Sequence, residues 1–265
     1  MLPPMIDIGV NLTDKSFERD LDAVLGRATE AGVTRLVLTG TSLASSEAAQ
    51  TLCRESPGRL YHTVGIHPHH ASDYSNGTGS QLLALAKDPA CVAIGETGLD
   101  FFRNFSTPEQ QIRAFERQLE LACDTRLPLF LHERDAHERQ IAMLRDCRDH
   151  FSRAVAHCFT GTREELYAYL DLDLHIGITG WICDERRGAH LQPLLRDIPP
   201  DRLMLETDAP YLLPRDIRPR PKSGRNEPCH LPHIARRVAQ ETGEDEARLR
   251  QRLLSNSLEF FAIQP

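Results

Sequence analysis

Hydrophobic and polar positions along this chain follow two alternating rhythms. Short apolar runs with strand character recur, and most are followed by stretches with apolar residues three and four apart. The first run extends from Met5 to Val10, and a helical pattern then places Phe17, Leu21, Val24, Leu25 and Ala28 on one face. Gly32 falls where a helix C-cap is expected. Further strands are expected from Arg35 to Leu38, Tyr61 to Ile66, Cys91 to Gly95, Pro128 to His132, Ala154 to His157, His175 to Ile178 and Leu203 to Thr207. The plainest helix start is Thr107-Pro108-Glu109-Gln110, with threonine at the N-cap, proline at N1 and glutamine at N3. Eight strands alternating with helices predict an α/β fold, a (β/α)8 TIM barrel, in preference to an open doubly wound sheet.

The length of 265 residues suits one such barrel, and a 40% hydrophobic fraction can fill its core. No linker, repeat or low-complexity segment interrupts the pattern, so residues 1–265 are expected to form one domain. No apolar stretch has the length of a membrane span. The opening MLPPMIDIGV lacks the basic and apolar regions of a secretory signal, so a cytoplasmic location is expected. None of the seven cysteines falls in a C-x-x-C pair, so reduced thiols are expected rather than a zinc ribbon or a disulfide framework. The net charge of −7 disfavours a generally basic nucleic-acid surface. It leaves room for an acidic pocket whose bound cations reverse its sign.

Candidate chemistry sits at the ends of the expected strands. Glu96 follows the fourth run, His132 and His157 close the fifth and sixth, and Asp208 follows the eighth. In a barrel the C-terminal strand ends surround one mouth, where these four side chains would converge. Each alone is as well explained by a cap or a buried hydrogen bond. Two imidazoles and two carboxylates together form a mixed nitrogen and oxygen set for a divalent metal, Mg²⁺, Mn²⁺ or Zn²⁺. Glu206, two residues before Asp208, ranks lower, as a salt-bridged strand residue. In the third-strand sequence VGIHPHH, His67 lies nearest the strand end and is the candidate for substrate contact; His69 and His70 are expected in solvent around the turn set by Pro68.

These residues lie in segments that closely resemble the TatD family of metal-dependent deoxyribonucleases, in the amidohydrolase-like group of TIM-barrel hydrolases. The segments are GIHPHH, AIGETGLDFFRNFSTPEQQ, LFLHERDAHER, HCFTGTREE, GITGWICDERRG, LETDAPYLLPRD and RNEPCHLPHI. The resemblance implies metal-ligand roles for Glu96, His132 and His157. It makes Asp208 either a further ligand or the base toward the attacking water, with Glu96 and Asp208 as the catalytic carboxylates. Many members carry H-x-H at the end of the first strand; this chain has Gly9 and Asn11 there. That first strand resembles the TatD subgroup proper, which implies a Mg²⁺-dependent 3′-to-5′ exonuclease acting on single-stranded DNA and RNA through a metal-activated water. No obligate protein partner is implied, and a monomer is expected.

Basic residues expected near the substrate are Arg134, Arg163, Arg186 and Arg187. The locally basic stretch PYLLPRDIRPRPKSGRNEP adds Arg215, Arg218, Arg220, Lys222 and Arg225. Of these, Arg134, Arg218 and Arg220 are the candidates carried forward as substrate-binding, with His67. Phe101, Phe102, Phe159, Trp181 and Tyr211 are candidates to stack on unpaired bases. Two other readings stay open: an ester or amide hydrolase on the same barrel, and a non-catalytic nucleic-acid-binding relic. The fourth run ends in Glu96 rather than a lysine that could be carboxylated to bridge two metals, which disfavours an amidohydrolase. The intact ligand set disfavours a relic.

Overall fold

The computed structural model describes residues 2–264. Its eight strands join one sheet in chain order: β1 (Met5–Val10), β2 (Val33–Leu38), β3 (Leu60–Val64), β4 (Cys91–Asp100), β5 (Leu129–Arg134), β6 (Ala154–Ala156), β7 (His175–Ile178) and β8 (Leu203–Leu205). Between and after them run helices α1 (Leu21–Glu30), α2 (Leu43–Glu55), α3 (Thr78–Leu85), α4 (Pro108–Thr125), α5 (His137–Asp146), α6 (Arg163–Leu170), α7 (Leu231–Thr242) and α8 (Glu246–Phe261). A parallel bridge between Val10 and Ala209 pairs the chain just beyond β8 with the end of β1. First and last strands are thus neighbours, and the fold class is the expected (β/α)8 barrel. No helix among the described residues is long and apolar enough to cross a membrane. No disulfide joins the cysteines among them.

The chain divides into two compact units: Met1–Leu38 with Cys158–Arg163 and Ile176–Pro265, and Thr39–His157 with Glu164–His175. In the first, every residue of β1 is buried, as expected for a parallel strand covered on both faces. One of them is charged. Asp7 is fully buried and accepts hydrogen bonds from the Thr207 amide at 2.9 Å and the Thr207 hydroxyl at 2.5 Å. Burial, with the Glu206 carboxylate adding to it, outweighs these bonds and lifts Asp7 to about 7. The folded chain therefore keeps a proton that the unfolded chain releases near 4. Stability should fall as pH rises from about 4 to 7, by roughly 1–4 kcal/mol from this group. Asp7→Asn, which mimics the protonated acid, should flatten that slope in urea melts across the same window; an unchanged slope would remove Asp7 as its source.

The second unit holds β3 to β6 and positions the site. Helix α4 starts as expected: the Thr107 hydroxyl accepts from the Gln110 amide, and the Gln110 side chain accepts from the Thr107 amide. Its buried stripe of Ala114, Phe115, Leu119 and Ala122 also contains Gln111 and Gln118. These glutamines clamp strand ends. Gln118 binds both backbone groups of Ile66, its Oε1 accepting from the amide at 2.7 Å and its Nε2 donating to the carbonyl at 3.1 Å. Gln111 does the same at Asp100, at 2.8 and 2.9 Å. Gln140 of α5 accepts from the Leu99 amide at 2.9 Å. Each buried backbone group that lacks a helix or sheet partner would cost about 1–3 kcal/mol, so these side chains stabilise an extended β4.

That extension corrects the expected end of the fourth strand. β4 does not stop at Gly95 but runs on through Glu96 to Asp100, pairing Thr97 with Leu131, Gly98 with His132 and Asp100 with Arg134. The approach of β5 is close enough that Gly98, at φ +137°, could not carry a Cβ: the atom would lie 2.0 Å from the His132 carbonyl oxygen.

Candidate metal centre and its surroundings

Successive residues of a strand point to opposite faces, so Glu96, Gly98 and Asp100 share one face of β4. On the neighbouring strand His132 stands opposite Gly98. The Glu96 carboxylate is the hub of this face. Its Oε1 lies 3.0 Å from His132 Nδ1, 3.4 Å from His67 Nε2 and 3.7 Å from His157 Nε2. All but the half-buried His132 are buried. Burial would raise Glu96, but the His67 and His157 imidazoles and the His132 hydrogen bond outweigh it and hold the carboxyl well below its ordinary range.

The three histidines are not equivalent. His67 caps the turn Pro68–Asp73, where its Nδ1 accepts the His69 amide hydrogen at 3.0 Å. A neutral ring so bound carries its remaining proton on Nε2, facing Glu96. Burial depresses His67 to about 4, so the neutral form holds at neutral pH. His67 thus presents an N–H to the Glu96 carboxylate. His132 has the opposite character. Burial pulls it down, but Asp100 and Glu96 bring it up to about 9. Its Nε2 is buried and lies 3.4 Å from Asp100 Oδ2. Once it gives up its proton, such a nitrogen beside a carboxylate and a second imidazole offers a donor set that suits a divalent metal. Glu96 and His132 present donor atoms within 4.8 Å of each other, together with His67. His157, held by its amide to the Leu131 carbonyl at 2.9 Å, points its Nε2 at the same carboxylate.

Two residues of this cluster escaped the sequence reading. Asp100 is buried, its Oδ1 accepts the amides of Phe102 and Arg103 at 3.0 and 2.9 Å, and its Oδ2 lies 2.8 Å from His69 Nε2. Burial would raise it, yet the hydrogen bonds from His132 and His69 hold it far below its usual value. His69 is therefore a hydrogen-bond partner of Asp100, which corrects the expectation that it sits in solvent; His70 is exposed as expected. The signal for Asp100 was present in the i, i+4 spacing from Glu96, visible once the strand is allowed to continue. Beside the cluster stand two exposed aromatic rings. Phe102 is 57% exposed with the Arg134 guanidinium 3.9 Å above its ring, and Phe105 is 66% exposed with its ring centroid 4.8 Å from that of His69 in an edge-to-face arrangement.

The other unit carries the remaining candidates. Asp208 follows β8 in a left-handed conformation, φ 54°, and its Oδ1 accepts from Asn11 Nδ2 at 3.0 Å. The Asp208 amide donates to the Gly9 carbonyl at 2.9 Å. The two positions that lack histidine therefore hold Asp208 through a backbone carbonyl and a side-chain amide. Glu206 is buried beyond the end of β8 and accepts the Cys158 amide at 2.6 Å. Of the basic loop, Arg218 is exposed and donates to the carbonyls of Arg215 and Ile217, and Arg220 is exposed. Arg225 is not available to a phosphate, because it is locked to Asp20 at 2.7 Å and to Glu227 at 2.7 Å. Phe159 is buried, which removes it from the stacking candidates, whereas Tyr211 is 54% exposed.

A parallel (β/α)8 scaffold with a histidine-ringed carboxylate at its strand ends defines the class of metal-dependent barrel hydrolases. The family model for the TatD related DNase matches residues 6–262. A protein named 3'-5' ssDNA/RNA exonuclease TatD from Erwinia billingiae (strain Eb661) is 55% identical over 259 residues, 98% of this chain and 99% of that protein. Two solved structures superpose over the whole chain and over all of their own length: YJJV, a TatD homolog from Escherichia coli k12, with TM-score 0.90 and 26% identity, and a hydrolase TatD family protein from Entamoeba histolytica, with TM-score 0.88 and 27% identity. The chain belongs to the TatD-related DNase family and is a hydrolase acting on nucleic acid.

Proposed function

We propose that this protein is a Mg²⁺-dependent 3′-to-5′ exonuclease of single-stranded DNA and RNA. The observation that carries the reading is the Glu96 carboxylate ringed by three imidazole nitrogens within 4 Å. The name of the Erwinia relative supports both the polarity and the substrate. Glu96, His132 and His157 would hold the cation. Mg²⁺ is favoured because glycine and asparagine, rather than histidines, stand at positions 9 and 11, which leaves oxygen donors and water to complete its shell. Such a cation supplies Lewis acidity toward a phosphoryl oxygen and lowers the pKa of water.

The protein's own groups do the rest. His67 donates to Glu96 and fixes the carboxylate's orientation, while Asp100 does the same for His132 and His69. Asn11 orients the Asp208 carboxylate, to which the family resemblance gives the role of base or further ligand. Arg134, Arg218 and Arg220 hold the phosphates. The exposed rings of Phe102 and Phe105 stack on unpaired bases, which explains a preference for single strands, because paired bases hide their faces.

An oligonucleotide labelled at its 5′ end should shorten one nucleotide at a time in the presence of Mg²⁺, and blocking its 3′ end should stop the reaction. Phe102→Ala combined with Phe105→Ala should raise KM at least about 30-fold, since two stacked bases together contribute roughly 2 kcal/mol or more. Internal cuts, or release of the 5′ label as the first product, would overturn the assignment of polarity.

A further inference from the structure

A second group of side chains of metal-ligating type lies in the unit that carries β8. Cys183 closes the short turn Gly180–Cys183 after β7, Asp216 lies in the basic loop after β8, and His233 is in the first turn of α7. Their donor atoms, a thiol sulfur, a carboxylate oxygen and a ring nitrogen, all lie within 4.8 Å of one another. Cys183 is buried, and the other two are half-buried. His233 Nε2 and Asp216 Oδ1 are 2.7 Å apart, so a proton already occupies the place between them that a cation could take. The nearest guanidinium to Asp216 is that of Arg237, 4.0 Å away; Arg237 is itself paired with Glu241 at 2.8 Å. Arg215 is directed to Asp184, 3.8 Å away.

We propose that Cys183, Asp216 and His233 form a second metal site, selective for a borderline transition ion such as Zn²⁺. Sulfur, nitrogen and oxygen ligands in one set suit that class of ion and not Mg²⁺, which takes oxygen. Binding releases the thiol proton of Cys183 to solvent and requires a neutral His233 that carries its proton on Nδ1 and binds through Nε2, so the two positive charges of the cation meet the thiolate and the Asp216 carboxylate. Three protein ligands leave a fourth position for water. The site ties the segment carrying Arg218 and Arg220 to the start of α7 and to the turn after β7. It is thus a structural clasp on a substrate-binding loop, and its existence does not depend on the nuclease assignment.

Cobalt(II) distinguishes this site from the other, because only a cysteine ligand produces a thiolate-to-cobalt charge-transfer band and the Glu96 cluster contains none. The full chain, stripped by chelation and dialysis, should develop that band on cobalt titration and saturate it at the intensity of one thiolate ligand per chain. Zn²⁺ should abolish the band and Mg²⁺ should not. The band should vanish in Cys183→Ser and persist in Cys158→Ser and in Glu96→Gln. Asp216→Asn, a change in a loop, and His233→Ala should each weaken cobalt binding at least about tenfold. Absence of the band in the wild-type chain, its survival in Cys183→Ser, or undiminished affinity in Asp216→Asn would each overturn the proposal.

Discussion

Glu96→Gln is expected to lower Mg²⁺-supported hydrolysis of single-stranded DNA by about 10³-fold, a loss of roughly 4 kcal/mol of transition-state stabilisation. The substitution keeps the shape of the side chain and removes the one charge on which three imidazole nitrogens converge. Binding of the oligonucleotide should change little, because the residues assigned to its phosphates and bases lie elsewhere, so the loss should fall on kcat rather than KM. A second signature is independent of turnover. In the metal-free protein His132 is held at about 9, against its own burial, by Asp100 and Glu96. Its contribution to stability is then fully present below about 6.5 and lost as pH rises toward 9. With Glu96 neutralised, the titration of His132 followed by NMR should move toward lower pH and this alkaline loss should shrink. Retained activity, or a His132 titration that does not move, would remove Glu96 from the centre of the site.

Gly98→Ala should destabilise the fold by about 3–5 kcal/mol and lower the thermal midpoint by roughly 10 °C. The added methyl would lie 2.0 Å from the His132 carbonyl oxygen and 2.9 Å from Gln140 Oε1, on a backbone at φ +137°. The carbonyl belongs to a strand paired on both sides, so relief requires β5 to shift and to carry His132 with it. Activity should therefore fall in the fraction that remains folded. Chemical denaturation followed by circular dichroism measures the first effect; a change below 1 kcal/mol would mean that the two strands do not approach as described.

Much of the barrel could be read from the chain because strand and helix differ in period. β1 from Met5 to Val10 and β7 from His175 to Ile178 have the expected limits, since apolar runs and turn residues coincide there. The Thr107 N-cap was legible because it is a local hydrogen-bond motif. β4 was not, beyond Gly95. Its last five residues include Glu96, Thr97 and Asp100, which no hydrophobic pattern assigns to a strand. They stay extended because β5 pairs with them and because Gln111 and Gln140 satisfy backbone groups at Asp100 and Leu99. Those partners are distant in sequence. Asp100 and the true environment of His69 were hidden for the same reason, while Glu96, His132 and His157 were visible as polar residues interrupting apolar strand ends. Cys183, Asp216 and His233 share no motif spacing, and only the folded loops bring them together.

The central claim is that the histidine-ringed carboxylate holds a divalent cation on which hydrolysis depends, and chelation tests it most directly. Protein treated with EDTA and freed of it by dialysis should not shorten a labelled single strand, and added Mg²⁺ should restore the reaction in wild type but not in Glu96→Gln. Undiminished digestion by the chelated protein, or equal restoration in Glu96→Gln, would contradict the account.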